Sequence, residues 1–148
     1  MRRLYLDTSV ISAYYDDREP EKRAQTREFW KKLKDYEVYI SEITITELNR
    51  EKSIEKRDQK VSLVMEFYEL RITEKVGRLV DAYLEHNIIP KKYEGDALHI
   101  AIAIINDIDI LVSWNFKHIV KLKTKREVNA ISILEGYKTI EIICPLEL

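Results

Sequence analysis

Short apolar runs that suit β-strands alternate along the chain with longer amphipathic stretches that suit helices. The predicted strands cover residues 3–6, 38–40, 70–72, 109–112 and 139–143. Helices are predicted after Asp7, around residues 45–48, and over residues 19–34, 61–67, 74–86, 96–104 and 125–134, with a short helix or turn over 114–121. Strands that alternate with helices favour a layered α/β fold with a mostly parallel central sheet.

The predicted helix that opens at Asp96 is apolar around its whole circumference. Its apolar positions are Ala97, Leu98, Ile100, Ala101, Ala103 and Ile104. A helix of this kind has no polar face to turn toward water, so we expect it to lie at the centre of the fold.

Three acidic residues stand beside these predicted buried elements. Asp7 follows the first strand, Glu47 lies within an amphipathic helix, and Asp96 opens the apolar helix. Ligands of parallel sheets bind beyond the carboxyl ends of the strands, where both Asp7 and the segment 113–115 are predicted to lie. Carboxylates gathered in buried surroundings repel one another unless a cation or protons compensate. The pattern therefore points to divalent-metal chemistry.

Each acid also has a local explanation as a helix-capping residue. Asp7 alone suits an N-cap, a role that contributes about 1 kcal/mol. Thr44 and Glu47 have the spacing of a capping box. Asp96 can cap its helix or favour the positive end of the helix dipole. Local capping does not explain why the three acids occur together with the segment 111–118.

Composition indicates one domain over residues 1–148, because 45% of the 148 residues are hydrophobic and only three Gly and three Pro occur. A single cysteine, Cys144, excludes an intramolecular disulfide and a thiolate zinc site, which suits a reducing cytoplasm. The longest apolar run, 100–105, is far shorter than a membrane helix, and Asp7 interrupts the first apolar stretch before it can form a signal-peptide core. We expect a cytoplasmic protein without a membrane segment.

The net charge of −1 gives no overall electrostatic argument for a nucleic-acid partner. Basic residues nevertheless cluster locally, and lysines that simply face solvent on amphipathic helices are the alternative explanation. The three clusters are Lys31, Lys32 and Lys34; Lys91 and Lys92; and Lys117, Lys121, Lys123, Lys125 and Arg126. The third cluster is the most interesting, since it follows a candidate site segment.

Four segments taken together resemble the PIN-domain family, which includes the VapC-type toxins of bacterial and archaeal toxin–antitoxin pairs. They are Leu6-Asp7-Thr8-Ser9-Val10, Glu47-Leu48, Asp96-Ala97-Leu98-His99-Ile100-Ala101 and Ser113-Trp114-Asn115. The resemblance implies a three-layer α/β/α fold and a nuclease whose clustered acids hold Mg²⁺ or Mn²⁺ to hydrolyse RNA or single-stranded nucleic acid. Asp7, Glu47 and Asp96 match the first three family acids.

Asn115 stands where many family members carry a fourth aspartate. Its amide oxygen can still ligate a hard cation, but it brings no charge, so a second metal ion should bind more weakly. Thr8, Ser9 and Ser113 match small hydroxyl residues that flank the acids, where they either support a ligand or cap their own backbone.

Two histidines and a lysine complete the candidate site. His99 lies three residues after Asp96, so its imidazole either holds that carboxylate, contacts a phosphate or has a purely structural role. Lys117 and His118 follow Asn115 and either bind substrate phosphate or face solvent.

The resemblance implies a metal-dependent endoribonuclease that acts as the toxin of a type II toxin–antitoxin pair, neutralised by a small antitoxin and assembled as a homodimer. The alternative is a non-catalytic PIN-like module that binds RNA or a protein, because the acidic set is incomplete at Asn115.

Overall fold

The first strand of the chain lies at the centre of a five-stranded, all-parallel sheet in this computed structural model, which describes residues 1–148. The strands are β1 (Arg3–Leu6), β2 (Glu37–Ser41), β3 (Tyr68–Leu70), β4 (Ile110–Val112) and β5 (Glu141–Ile143). Their order across the sheet is β3-β2-β1-β4-β5. The register pairs Leu4 of β1 with Val38 on one side and with Ile110 on the other.

Seven α-helices connect the strands. They are α1 (Thr8–Tyr14), α2 (Pro20–Trp30), α3 (Glu42–Leu48), α4 (Ile54–Val64), α5 (Glu74–Glu85), α6 (Glu94–Ile105) and α7 (Leu122–Leu134). Single 3₁₀ turns cover Leu33–Asp35, Lys91–Tyr93 and Pro145–Glu147. Right-handed crossovers place α1 to α4 on one face of the sheet and α5 to α7 on the other, because the chain reverses its direction across the sheet after β3. The predicted three-layer α/β/α fold is confirmed.

The reversal creates a topological switch point between β1 and β4. The chain moves outward from β1 through β2 to β3 and then returns to β4 on the other side of β1. Open parallel sheets bind ligands in the crevice at such a point, beyond the carboxyl ends of the strands. Asp7 and Ser113 are the first residues after β1 and β4, and the Asp7 amide donates to the Val112 carbonyl at 3.2 Å.

Helix α6 is central, as its apolar circumference predicts. Its residues from His99 to Ile104 are all at least nine-tenths buried, and they belong to or border a core of 38 hydrophobic side chains. The helix packs against α5, and its His99 contacts Tyr5 of β1, so these contacts fix the position of Asp96 near its start. None of the helices combines the length and the apolar character that a membrane crossing requires.

The sequence prediction differs from the structure in the bounds of several elements, including the third strand and two helices. The third strand is Tyr68–Leu70 and not 70–72, because Tyr39 of β2 pairs with Tyr68, whereas the Ile72 amide donates to the Glu42 carboxylate at 2.6 Å. The helix predicted over 19–34 ends at Trp30, and the one predicted over 61–67 runs from Ile54 to Val64. The outer face of this last helix is solvated, so it carries little apolar periodicity.

We predict that Ile104→Ala lowers the free energy of unfolding by about 2–5 kcal/mol, since the side chain is 1% exposed and its removal leaves a cavity in the core. Ile133→Ala is the matched control, because the same side chain on α7 is 67% exposed and its loss should change stability by less than about 0.5 kcal/mol. Urea denaturation of both variants measures the difference. Equal stability losses would contradict the central position of α6.

Candidate metal centre

Asp7 lies at the switch point with its carboxylate buried and held by two serines. The residue is 3% exposed and occupies the N-cap position of α1. Its Oδ1 accepts a hydrogen bond from Ser9 Oγ at 2.5 Å, and its Oδ2 accepts one from Ser113 Oγ at 2.7 Å. The carboxylate makes no capping bond to the helix backbone. The capping explanation is therefore wrong for the Asp7 side chain, which faces the crevice.

Glu47 reaches the same crevice from α3. Its Oε1 accepts hydrogen bonds from Thr8 Oγ1 at 2.5 Å and from His99 Nε2 at 2.6 Å. The predicted capping box with Thr44 is wrong, because α3 already begins at Glu42 and the Thr44 hydroxyl itself accepts from the Ser41 amide at 3.2 Å. Glu47 lies more than a turn into the helix, where no backbone donor needs its carboxylate.

A buried chain of hydrogen bonds anchors the Glu47 carboxylate to the sheet. His99 bonds Glu47 through Nε2, and its Nδ1 lies 2.6 Å from the hydroxyl of Tyr5 on β1. That hydroxyl in turn lies 2.7 Å from Ser41 Oγ at the end of β2. His99 therefore holds Glu47 and not Asp96, the carboxylate next to it on α6.

Glu47 and His99 each shift the pKa of the other toward its charged form. Burial alone would raise the pKa of Glu47, but the hydrogen bond with His99 brings it below its ordinary value. Burial alone would lower the pKa of His99, but the bond to Glu47 and the charge of Asp7 raise it. Both directions favour an imidazolium–carboxylate pair.

Tyr5 and Ser41 were not predicted from the sequence to belong to the site. Burial raises the pKa of the Tyr5 hydroxyl, so the group stays protonated and available as a hydrogen-bond donor. A tyrosine between two leucines in a fully buried strand needs a polar partner for its hydroxyl, and that requirement was the available signal.

Asp96 approaches Asp7 from the start of α6. The helix begins two residues before the predicted position, at Glu94, which places Asp96 in the first turn. Burial and then the negative charge of Asp7 raise the pKa of Asp96 to about 6. The pKa of Asp7 is also raised, chiefly by burial. The imidazolium of His99 thus does not fully compensate the negative charge of the three acids.

Asn115, in the segment after β4, acts on Asp96. Its side chain favours the ionised form of Asp96 and so lowers the pKa of that carboxyl, and its Oδ1 accepts from the His118 amide at 3.0 Å. Its own backbone amide donates to Ser113 Oγ at 2.9 Å. The amide that replaces a fourth acid therefore positions its neighbours, whereas its role as a metal ligand stays a prediction.

Lys117 and His118 lie beside Tyr93, which directly precedes α6. The rings of His118 and Tyr93 are 4.0 Å apart between centroids, and Lys117 Nζ lies 5.5 Å from the Tyr93 ring centroid. His118 is 8% exposed and its Nε2 has no hydrogen-bond partner, so the solvent-facing alternative is wrong for this residue. Lys117 is exposed at the rim.

Gly95 leaves room for the Glu47 carboxylate. A Cβ placed on Gly95 would lie 3.1 Å from Glu47 Oε2, which is closer than ordinary contact. The glycine is the second residue of α6, where any side chain would press on the oxygen that His99 and Thr8 leave free.

The residues present fit a hard divalent cation. No three acidic or histidine side chains already converge into a closed ligand set. However, Asp7, Glu47 and Asp96 offer carboxylate oxygens, which Mg²⁺ and Mn²⁺ prefer. The raised pKa values of Asp7 and Asp96 show that their negative charges are only partly compensated, so a cation among them would be favourable.

Comparison with known proteins gives one family match. The model of the PIN-domain family matches residues 4–121, which include all the candidate site residues. No curated protein sequence matches the chain significantly.

Solved structures share the fold at low sequence identity. VapBC2 from Rickettsia felis, bound to a DNA fragment from its promoter, is 17% identical with a TM-score of 0.57, over 96% of this chain and 98% of that one. VapBC-5, a toxin–antitoxin system of Mycobacterium tuberculosis, is 17% identical with a TM-score of 0.56, over 97% and 99% of the two chains. VapC20 of M. tuberculosis, a toxin that cleaves the sarcin–ricin loop, is 17% identical with a TM-score of 0.55, over 78% and 92%.

We predict that Gly95→Ala weakens Mn²⁺ binding without destabilising the metal-free protein. The added methyl group displaces Glu47 Oε2, while alanine is the better helix former by up to about 1 kcal/mol. The measurement is the rise in melting temperature on adding Mn²⁺, compared with that of the wild type.

Gly77→Ala is the control for this experiment. Gly77 lies within α5 and a Cβ there meets nothing within 4 Å, so the variant should gain stability and keep the full response to Mn²⁺. An undiminished response in Gly95→Ala would show that Glu47 does not depend on this space.

Proposed function

Because the chain belongs to the PIN-domain family, we propose that it is a metal-dependent endoribonuclease that hydrolyses RNA phosphodiester bonds. The observation that carries the proposal is the placement of Asp7, Glu47 and Asp96 around the switch point of the sheet, where, besides burial, the charge of Asp7 raises the pKa of Asp96 and the charge of Glu47 raises the pKa of Asp7. Uncompensated carboxylates in a crevice are the arrangement that a divalent cation stabilises.

Asp7, Glu47 and Asp96 would hold Mg²⁺ or Mn²⁺. When bound, such an ion lowers the pKa of a coordinated water and offsets the charge that develops on the phosphate.

The other side chains keep the three acids in place. Ser9 and Ser113 each hold one oxygen of Asp7, which fixes the rotation of the carboxylate. The imidazolium of His99 keeps Glu47 ionised and leaves its Oε2 free. Supporting hydrogen bonds of this kind typically contribute about 10- to 100-fold to metal affinity or activity.

Lys117 and His118 are the proposed contacts to the substrate beside the acids. Lys117 is exposed next to Tyr93, and the unpartnered Nε2 of His118 lies in the same cluster. A cation and an aromatic ring suit the phosphate and the base of a single-stranded substrate. RNA is proposed over DNA because a structural relative, VapC20, is a toxin that cleaves the sarcin–ricin loop.

We also propose that the chain is the toxin of a type II toxin–antitoxin pair. Two of the structural relatives are VapBC systems, and both match this chain over nearly its whole length. A small antitoxin would then be the protein partner, and a homodimer is the proposed assembly.

A non-catalytic PIN-like module that binds RNA or protein is the second candidate. Asn115 favours it, since the neutral amide lacks the charge of a fourth acid and its oxygen already accepts from the His118 backbone. Three retained carboxylates with their supporting hydroxyls favour the enzyme.

We predict that the wild type cleaves labelled single-stranded RNA with Mg²⁺ or Mn²⁺ and not with EDTA, and that Asp7→Asn lowers the rate by at least about 100-fold, more than loss of a supporting residue typically costs. The amide keeps the shape of the side chain, so circular dichroism should show a folded variant. Asp81→Asn removes an exposed carboxylate of α5 that makes no ion pair and should cleave like the wild type. A folded Asp7→Asn protein with full activity would refute the assignment of the site.

We predict that saturating Mn²⁺ raises the melting temperature of the wild type and has a much smaller effect on Asp96→Asn. A ligand that binds only the native state at about 100 times its Kd adds about 2.7 kcal/mol, which corresponds to roughly 5–10 °C for a chain of this size. Differential scanning fluorimetry measures both. A metal response without RNA cleavage would favour the binding module.

A further inference from the structure

A second, cationic cleft adjoins the metal centre. It has a volume of about 420 Å³ and lies between the C-terminal end of α1 and the segment that links α3 to α4. We call it the basic cleft, and its charged lining consists of Arg18, Lys52, Lys56, Lys60, Asp16 and Glu51. None of its cations belongs to the lysine groups that stand out in the sequence.

The basic cleft continues the crevice in which the acids lie. Thr8 and Glu47 touch at 2.5 Å where α1 and α3 meet. Ser12, which lines the cleft, lies one helical turn after Thr8 on the same face of α1, and Glu51, which also lines it, follows shortly after the end of α3. One helical turn corresponds to about 5.4 Å along the axis, so Ser12 brings the cleft close to the Thr8–Glu47 contact.

Two of the four cations in the basic cleft have no acidic partner. Lys60 pairs with Glu51 at 3.1 Å, and Arg18 pairs with Asp16 at 3.0 Å. Lys52 and Lys56 are exposed and form no ion pair. The paired residues shape the walls of the cleft, while Lys52 and Lys56 leave it with uncompensated positive charge.

We propose that the basic cleft binds the phosphate backbone of the substrate strand, at a nucleotide next to the one whose phosphate lies at the metal centre. This inference rests on the proposed nuclease function. The acids at the metal centre repel every phosphate except the one that meets a cation there, so affinity for the strand has to come from positive charge outside that centre. Lys52 and Lys56 supply such charge directly beside it.

The lining of the basic cleft favours a nucleic acid over an acidic peptide. Tyr15 is its only hydrophobic lining residue, whereas protein partners anchor themselves through buried apolar and aromatic side chains. Contacts of lysine with phosphate carry no sequence information, so the cleft positions the strand and does not read its bases.

The test is the binding of a short fluorescent single-stranded RNA, followed by anisotropy in EDTA so that the strand stays intact. The double variant Lys52→Ala, Lys56→Ala should bind the RNA about tenfold more weakly at low salt. The logarithm of its association constant should also fall less steeply with the logarithm of the salt concentration, by about 0.7 in slope for each phosphate that the variant no longer neutralises. The control is Lys34→Ala, Lys75→Ala, which removes two exposed lysines that also lack ion pairs and lie outside the cleft. The control should bind like the wild type.

The possible outcomes separate this inference from the proposed nuclease function. Equal weakening in both double variants, or no weakening in either, overturns the basic cleft, and metal-dependent RNA cleavage by the same proteins would leave the nuclease intact. Cleft-dependent RNA binding by a wild type that cleaves nothing supports the cleft and removes the nuclease. A wild type that binds no RNA overturns the inference. The same holds if a poly-glutamate peptide binds the wild type through Lys52 and Lys56, whereas RNA binding does not depend on these two lysines.

Discussion

The hydrogen bond between His99 and Glu47 joins all three layers of the fold. Glu47 belongs to α3 on one face of the sheet, and His99 belongs to α6 on the other face. The second nitrogen of His99 meets Tyr5 within the sheet itself. A displacement of any one layer would therefore break a buried polar contact, and unpaired buried polar groups typically cost about 1–3 kcal/mol each. The geometry of the acids is set by the packing of the whole domain and not by a local loop.

This arrangement places electrostatic repulsion in a buried part of the fold. Asp7 is almost fully enclosed and Asp96 is half-buried, so the Asp7 carboxylate cannot relieve the repulsion by turning into water. The apolar packing of α6 below Asp96 supplies the favourable free energy that holds the acids together. The repulsion between the acids at the start of α6 therefore lowers the stability of the fold, and the apolar packing of the rest of the helix offsets it.

Much of the fold and part of the site could be predicted from the sequence, for identifiable reasons. The strand Arg3–Leu6 and the central position of α6 follow from local hydrophobic patterns. The contact of His99 with Glu47 joins residues 52 positions apart, and that of Tyr5 with His99 joins residues 94 apart, so no local pattern announces them.

Features set by the surroundings of a residue were equally inaccessible from the sequence. The space beside Gly95 is bordered by Glu47 Oε2, which belongs to another helix. Lys52 and Lys56 have the same sequence environment as any solvated helix start, and only the position of α1 opposite them makes a cleft. Sequence patterns identify residues that are buried or that punctuate an element, whereas neighbours in space require the fold.

The order of the strands also has a consequence for the synthesis of the chain. The central strand β1 leaves the ribosome first, but its neighbour β4 and the serine that holds Asp7 follow much later, since Ser113 lies 106 positions beyond Asp7. Until that segment has emerged, one side of β1 is unpaired and Asp7 lacks half of its hydrogen bonds. The acids therefore come together only when translation of the domain is nearly finished, so a partly synthesised chain does not carry the assembled acidic site.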